Sequence, residues 1–114
     1  MASEQSQETS PKEVQARVAS LIEEYDRVLF IKGQPERPLC GFSQRAVGTL
    51  SQYDIDFEAV DVLSALSAYR DALESHSGWQ TIPQLYVDGD FVGGSDIIVE
   101  LDDRGDLEAA LAVE

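Results

Sequence analysis

The feature that most constrains this chain is an apolar run, residues 28–31 (VLFI), followed by a loop that carries the one cysteine of the sequence. Because Lys32 and Gly33 bound this run, it predicts a short buried strand. After Gly41, apolar residues recur at the spacing of an amphipathic helix. Cys40 is therefore expected at or beside the N-terminus of a helix, where free backbone N–H groups and the helix dipole favour a thiolate.

The patterns along the chain predict a domain of the α/β class. The predicted elements are a helix that begins with a capping box at 10–13, strands at 28–32 and 57–61, helices after residue 41 and at 65–77, a hairpin turning on Asp88-Gly89, and a last helix from about 96 to 105. This order predicts a four-stranded mixed sheet flanked by helices on both faces. The first two strands, joined by a helix, are expected to be parallel.

The charge balance excludes several functional classes. The chain has 22 acidic and 8 basic residues, and its net charge is −14 at pH 7. A surface this acidic repels phosphate, so no nucleic-acid partner is expected. No apolar run is long enough to predict a membrane span. Because the acidic residues are spread along the chain, we interpret them as a solvated surface of the halophilic kind, with an acidic patch for one basic partner as the alternative.

The N-terminal residues 1–9 are polar and lack the features of a signal peptide. They are expected to form a disordered tail, and residues 10–114 to form a single domain. A chain with one cysteine cannot form an intrachain disulfide. Together these observations favour a reducing, cytoplasmic setting.

The residues alone allow two interpretations of the single cysteine. A single cysteine is more often a small buried hydrophobe than a reactive group. Here the neighbouring proline, glycine and serine residues describe an exposed turn, which favours a reactive thiol. Ser43 stands where the second thiol of a Cys-x-x-Cys motif would be, so any disulfide of Cys40 must join it to another molecule.

Three blocks of sequence resemble the monothiol glutaredoxins of the Cys-Gly-Phe-Ser type. They are residues 28–43, which end in CGFS, residues 79–87 (WQTIPQLYV) and residues 93–97 (GGSDI). The blocks stand in the family's order and at compatible spacing, and the resemblance runs from about Lys12 to the C-terminus. It implies a thioredoxin-like fold, which is the α/β arrangement predicted above.

The resemblance also implies roles for individual residues. Cys40 would be the catalytic and metal-binding thiol, and Lys32 and Arg70 would face the carboxylates of a bound glutathione. Pro83 would be cis and would expose the backbone of Ile82 to the ligand. The complete set of implied ligand-binding residues is Lys32, Cys40, Gly41, Phe42, Arg70, Thr81, Ile82, Pro83, Gly94, Ser95 and Asp96.

Taken without the resemblance, most of these positions have an ordinary structural explanation. Lys32 is a solvated lysine at the end of a strand, and Arg70 is an exposed arginine on a helix. Pro83 stops a strand, and either Ser95 or Asp96 caps the helix that follows Gly-Gly. At the start of this last helix, a capping role and a ligand-binding role are compatible with each other.

Four positions within or near this set carry further expectations. Gln80 replaces the proline that is usual before Thr81 in the family, which should loosen the turn. Ser95 replaces a frequent cysteine after Gly-Gly, which removes a second thiol. Trp79 is expected to pack within the protein rather than to touch a ligand, and His76 has no partner at a spacing suited to a metal.

The number of thiols bears directly on function. A [2Fe–2S] cluster normally needs four thiolates, and this chain supplies one. Two chains and two external thiols complete the set, which agrees with the glutathione-ligated, cluster-bridged homodimer of the family. In a cell that makes γ-glutamylcysteine instead, that thiol would take the place of glutathione. Such a protein would take clusters from assembly machinery and pass them to recipient apo-proteins in iron and redox homeostasis.

Two other functions stay open on the same residues. The first is a glutathione-dependent thiol-disulfide oxidoreductase that removes glutathione from proteins (deglutathionylation) through Cys40. The second is a regulatory adaptor whose cluster reports iron status to a bound partner.

Overall fold

The computed structural model describes residues 10–112, so the tail predicted at 1–9 and the end of the predicted domain, 113–114, lie outside the described residues. The helices are α1 (Pro11–Glu24), α2 (Gly41–Leu50), α3 (Leu66–Ser77), α4 (Ser95–Arg104) and α5 (Leu107–Ala110). The strands are β1 (Arg27–Ile31), β2 (Gly33–Gln34), β3 (Arg37–Pro38), β4 (Glu58–Asp61), β5 (Gln84–Val87) and β6 (Asp90–Gly93). A short 3-10 helix, Leu63–Ala65, precedes α3.

The main sheet is mixed and has four strands in the order β4-β1-β5-β6. β1 is parallel to β4 and antiparallel to β5, and β5 and β6 form a hairpin. Because β1 lies inside the sheet with both faces covered, its apolar residues form a continuous run instead of alternating with polar ones. The predicted parallel pair and the predicted hairpin are both confirmed.

Helices cover both faces of this sheet. On one face α1 and α3 pack together over a core that includes Val18, Phe30 and Leu73. On the other face α2, α4 and α5 enclose a second core that includes Leu29 and Ile98. Successive residues of β1 therefore enter opposite cores, and the arrangement is the thioredoxin-like fold. No helix within residues 10–112 is long and apolar enough to cross a membrane.

Two local predictions differ from the structure. The segment between β1 and Cys40 is not only a loop, because β2 and β3 pair there as a small antiparallel hairpin. With two residues in each strand, such a hairpin leaves no periodic pattern in the sequence. At the start of α1, Ser10 is the N-cap and Pro11 the first helical residue, but the Ser10 side chain makes no capping hydrogen bond.

Candidate functional site

The first part of the site is the N-terminus of α2, where Cys40 is the N-cap residue, as predicted. Its backbone is extended, and its C=O accepts the first helical hydrogen bond, from the Gln44 N–H at 3.0 Å. The Cys40 Sγ accepts a hydrogen bond from the Ser43 N–H at 3.3 Å. The sulfur thus takes the place that a side-chain oxygen takes in an ordinary N-cap.

The Ser43 hydroxyl forms a second contact with this sulfur. Ser43 is completely buried, and its Oγ accepts a hydrogen bond from the Lys32 N–H at 3.1 Å. Ser43 Oγ and Cys40 Sγ lie 3.2 Å apart, so a protonated thiol donates to the hydroxyl. Once Cys40 ionises, only the hydroxyl has a proton for this contact, and it donates to the thiolate.

The balance of these interactions lowers the pKa of the Cys40 thiol. Partial burial by itself would raise that pKa. The Ser43 side chain, the backbone N–H groups of Ser43 and Phe42, and the charge of Lys32 together outweigh the burial. The direction of this shift agrees with the thiolate that the sequence predicts at the helix N-terminus, and hydrogen bonding from Ser43 contributes more than the charge of Lys32.

The segment that leads to Cys40 is fixed against the sheet. The Leu39 N–H donates to the Lys32 C=O at 2.9 Å, which closes the β2–β3 hairpin onto the end of β1. Asp61 Oδ1 at the end of β4 accepts from the Gly33 N–H at 2.9 Å and from the Leu63 N–H at the same distance. These contacts hold the cysteine loop at the carboxyl ends of two parallel strands.

The second part of the site is the segment before β5. The Ile82–Pro83 peptide bond is cis, as the family resemblance implied. Both residues are buried and line a groove of about 550 Å³. The groove is lined by Phe42, Trp79, Thr81, Ile82, Pro83, Gln84, Phe91, Val92, Gly93, Gly94, Ser95, Asp96 and Ile97.

Most of the residues implied as ligand-binding meet at this groove. Phe42 comes from α2, Thr81 to Pro83 from the segment before β5, and Gly94 to Asp96 from the start of α4. Cys40 and Gly41 directly precede Phe42 in the chain but are not themselves among the lining residues. Lys32 and Arg70 are partly buried and are not among the lining residues.

The start of α4 differs from the cap that the sequence predicts. Gly94 is the N-cap residue, and neither Ser95 nor Asp96 makes a side-chain capping hydrogen bond. Both residues already belong to the first helical turn, so the prediction that one of them is the cap is wrong. The Asp96 carboxylate instead lies 3.8 Å from the Arg45 guanidinium of α2, in a solvent-exposed pair.

Trp79 and Gln84 are two of the groove residues that the sequence did not identify. Trp79 is 60% exposed and lines the groove, as does Phe42, which is 58% exposed, so the prediction that Trp79 packs inside is wrong. Gly78 ends α3 with a left-handed backbone, and the Ser77 hydroxyl accepts from the Trp79 N–H at 3.0 Å, which turns the indole outward. The second missed residue is Gln84, whose polar side chain is buried in β5.

The fold and the capping thiol define a thiol protein of the thioredoxin-like class. Within that class, the glutaredoxin family model matches residues 28–92. An uncharacterised monothiol glutaredoxin of the ycf64-like type from Synechocystis is 44% identical over 101 residues, which are 89% of this chain and 94% of the relative. Several plant and fungal monothiol glutaredoxins are longer, and the chain spans 19% to 58% of their length.

Two solved structures are similar along most of the chain. Reduced apo GrxS14 from poplar is 37% identical, with a TM-score of 0.74 over 87% of this chain and 90% of that one. A monomeric truncated mutant of 1-C-Grx1 from Trypanosoma brucei is 36% identical, with a TM-score of 0.75 over 86% of this chain and 88% of that one. The chain belongs to the glutaredoxin family, and its one cysteine makes it a monothiol member.

Proposed function

We propose that this protein binds a [2Fe–2S] cluster between two copies of the chain, with glutathione or γ-glutamylcysteine as the remaining ligand. The observation that carries the proposal is that the chain has a single thiol, which is acidified and stands two residues before Phe42, a residue that lines an open groove. A [2Fe–2S] cluster normally takes four thiolates. One thiolate from each of two chains supplies half of the set, and two small thiols supply the other half.

The polar groups at the groove can bind a γ-glutamyl thiol. The free N–H groups at the start of α4 can bind the α-carboxylate of the γ-glutamyl end, and Asp96 can pair with its ammonium. Ile82 lines the groove, and its backbone would pair with the peptide-like backbone of the ligand. Lys32 and Arg70 would approach the other end of the ligand, which carries the glycyl carboxylate in glutathione.

The other ligands of the cluster have to come from outside the chain. Within the described part of the chain, no three His, Cys, Asp or Glu side chains are grouped so that they could hold a metal ion. His76 is exposed on α3, and we assign it no role. A cluster held by one protein thiolate per chain and by exchangeable small thiols would be labile, which suits a cargo that is received and passed on.

An apolar border around Cys40 supports contact with a second chain or with another protein. Leu39, which precedes Cys40, is 63% exposed, and the groove residues Phe42, Trp79 and Ile97 are exposed as well. In the proposed dimer these side chains cover the cluster. The net charge of −14 per chain opposes dimerisation without it, so the apo form is expected to be largely monomeric.

In the proposed role the protein receives clusters from assembly machinery and delivers them to apo-proteins, in iron and redox homeostasis. It would work in the cytoplasm, where the surroundings keep its thiol reduced.

Anaerobic reconstitution tests this function. We expect iron and sulfide to give visible cluster absorption only when glutathione or γ-glutamylcysteine is present, with a phosphine as the thiol-free reductant. Cys40→Ser should give no cluster, and Ser51→Ala, at the other end of α2, should behave as the wild type. Cluster absorption without any small thiol, or in Cys40→Ser, would contradict the proposal.

The acidified thiol favours a second candidate, the glutathione-dependent oxidoreductase. In that reaction the Cys40 thiolate attacks the glutathione sulfur of a protein mixed disulfide, and the protein thiolate leaves. A free glutathione thiolate then attacks the Cys40–glutathione disulfide, which releases glutathione disulfide and restores Cys40. Rapid Cys40-dependent turnover of a glutathionylated peptide, by a protein that takes up no cluster, would select this candidate.

A further inference from the structure

Gln84 is a polar residue in the middle of the core, and all of its hydrogen-bonding groups have partners. Its side chain is 1% exposed. The amide Nε2 donates to the Trp79 C=O at 2.8 Å and to the Thr81 C=O at 3.1 Å. Its Oε1 accepts from the Tyr86 hydroxyl at 2.8 Å. Because an unpaired buried amide is costly, this arrangement fixes the two carbonyls as firmly as it fixes the glutamine.

The orientation of one peptide unit follows from these bonds. The Thr81–Ile82 peptide bond is trans, so its C=O and N–H point in opposite directions. Since Gln84 holds the Thr81 C=O, the Ile82 N–H is directed away from the glutamine amide. Residues 10–112 offer this N–H no hydrogen-bond acceptor, and Ile82 lines the groove. A donor without a partner among the described residues is thus held in one direction at the groove wall.

We propose that Gln84 is a positioning residue for ligand recognition. It sets the plane of the Thr81–Ile82 peptide unit, so that the Ile82 N–H meets a backbone carbonyl of the γ-glutamyl thiol. The inference rests on the proposed binding of such a thiol in this groove. Gln84 acts through the segment that it holds and has no contact with the Cys40 sulfur.

Two mixed-disulfide equilibria of Cys40 isolate this contribution. In each, the Cys40 thiolate attacks a symmetrical disulfide, a bond forms between Sγ and one of its sulfurs, and the other half leaves as a thiolate. One disulfide is glutathione disulfide, and the other is 2-hydroxyethyl disulfide, which has no amide groups. A change in thiol pKa or in loop stability alters both equilibria. Loss of the contact to the Ile82 N–H alters only the equilibrium with glutathione disulfide.

The ratio of the two equilibrium constants is the readout. In Gln84→Met, which keeps the side-chain length and removes both donors, we expect the ratio to fall about tenfold, as for the loss of one or two hydrogen bonds. The constant for 2-hydroxyethyl disulfide should stay within about a factor of two. Gln15→Met makes the same chemical change on the exposed side of α1 and should leave the ratio unchanged.

The outcomes separate this inference from the proposed function. A wild-type protein without preference for glutathione would overturn the proposed ligand, and the inference with it. A wild-type preference that Gln84→Met retains would overturn the inference alone. If Gln84→Met does not fold, Tyr86→Phe replaces it, since it removes only the hydroxyl that holds the amide. That variant should lower the ratio several-fold, and an unchanged ratio would overturn the inference.

Discussion

Ser43 occupies the position at which a dithiol protein carries its second cysteine, and its contacts explain why a hydroxyl suits this site. The hydroxyl accepts from the backbone of Lys32 and lies within hydrogen-bond distance of Cys40, yet it cannot form a disulfide. The buried serine therefore stabilises the thiolate while leaving the sulfur free for an external partner. With an oxygen in place of a sulfur at this position, the protein keeps the activation of its thiol and cannot form a disulfide between the two residues.

The first prediction concerns the acidity of Cys40. Ser43→Ala should raise the pKa of the thiol, because it removes the strongest of the interactions that lower it, and Lys32→Gln should raise it less. The pH dependence of ultraviolet thiolate absorbance measures both changes. Ser51→Ala, a change of the same kind at the exposed end of α2, is the control. An unchanged pKa in Ser43→Ala would contradict this assignment.

The same pKa shift gives stability a pH dependence of known sign. The folded-state pKa of Cys40 lies below its unfolded-state value. Ionisation of the thiol therefore contributes stability that is fully present above the unfolded-state pKa. This contribution is lost as the pH falls through the folded-state pKa.

At the scale of single residues, the sequence predicts the reactive groups better than it predicts the side chains that surround them. The position of Cys40 follows from the apolar strand and the helix around it, and cis-Pro83 follows from the family resemblance. The outward turn of Trp79 depends on how Gly78 and Ser77 end α3, which residue type alone does not show. The burial of Gln84 depends on carbonyls that the fold brings to it, and no local pattern indicates them.

Among the elements, the small β2–β3 hairpin matters most to the site, because it sets the entry of the chain into Cys40. Its first residue, Gly33, has φ +94°, a left-handed backbone. A Cβ added there would stand 2.8 Å from the Leu39 nitrogen and 2.9 Å from the Arg37 oxygen. Both contacts are with backbone atoms that cannot move aside without distorting the hairpin.

Gly33→Ala is therefore expected to be more destabilising than the same change at Gly89. Gly89 also has a left-handed backbone, but a Cβ there meets nothing within 4 Å. Gly89→Ala should cost about 1–2 kcal/mol from backbone strain, and Gly33→Ala about 1–3 kcal/mol more from the clash. Equilibrium denaturation of the two variants measures the difference, and equal losses of stability would contradict the account.

The larger elements could be predicted because each has a strong pattern. The apolar run of β1 and the Asp88-Gly89 turn of the β5–β6 hairpin specify most of the sheet. The β2–β3 hairpin could not, because two paired residues on each side carry no periodicity and Pro38 has no N–H to donate. The cap of α4 was missed because Ser95 and Asp96 have the side chains of capping residues, while the chain enters the helix through Gly94.

For the whole molecule, the acidic surface predicts a stability that rises with salt. Self-repulsion at a net charge of −14 is screened as the Debye length falls from about 10 Å at 0.1 M salt to about 3 Å at 1 M. The melting temperature in potassium chloride should therefore rise from about 0.1 M to about 2 M. Replacing the exposed Glu23, Glu24 and Asp103 by their amides should reduce this rise. A melting temperature that does not rise with salt would contradict the halophilic interpretation.

The composition of the cluster-bound species tests the central claim most directly. Native mass spectrometry of the anaerobically reconstituted protein, with chemical analysis of iron, sulfide and small thiol, gives that composition. Because each chain offers one thiolate and a [2Fe–2S] cluster normally takes four, we predict two chains, one cluster and two molecules of glutathione or γ-glutamylcysteine. The apo protein should be largely monomeric under the same conditions. A cluster held by a single chain, or a cluster-bound dimer without small thiols, would contradict the account.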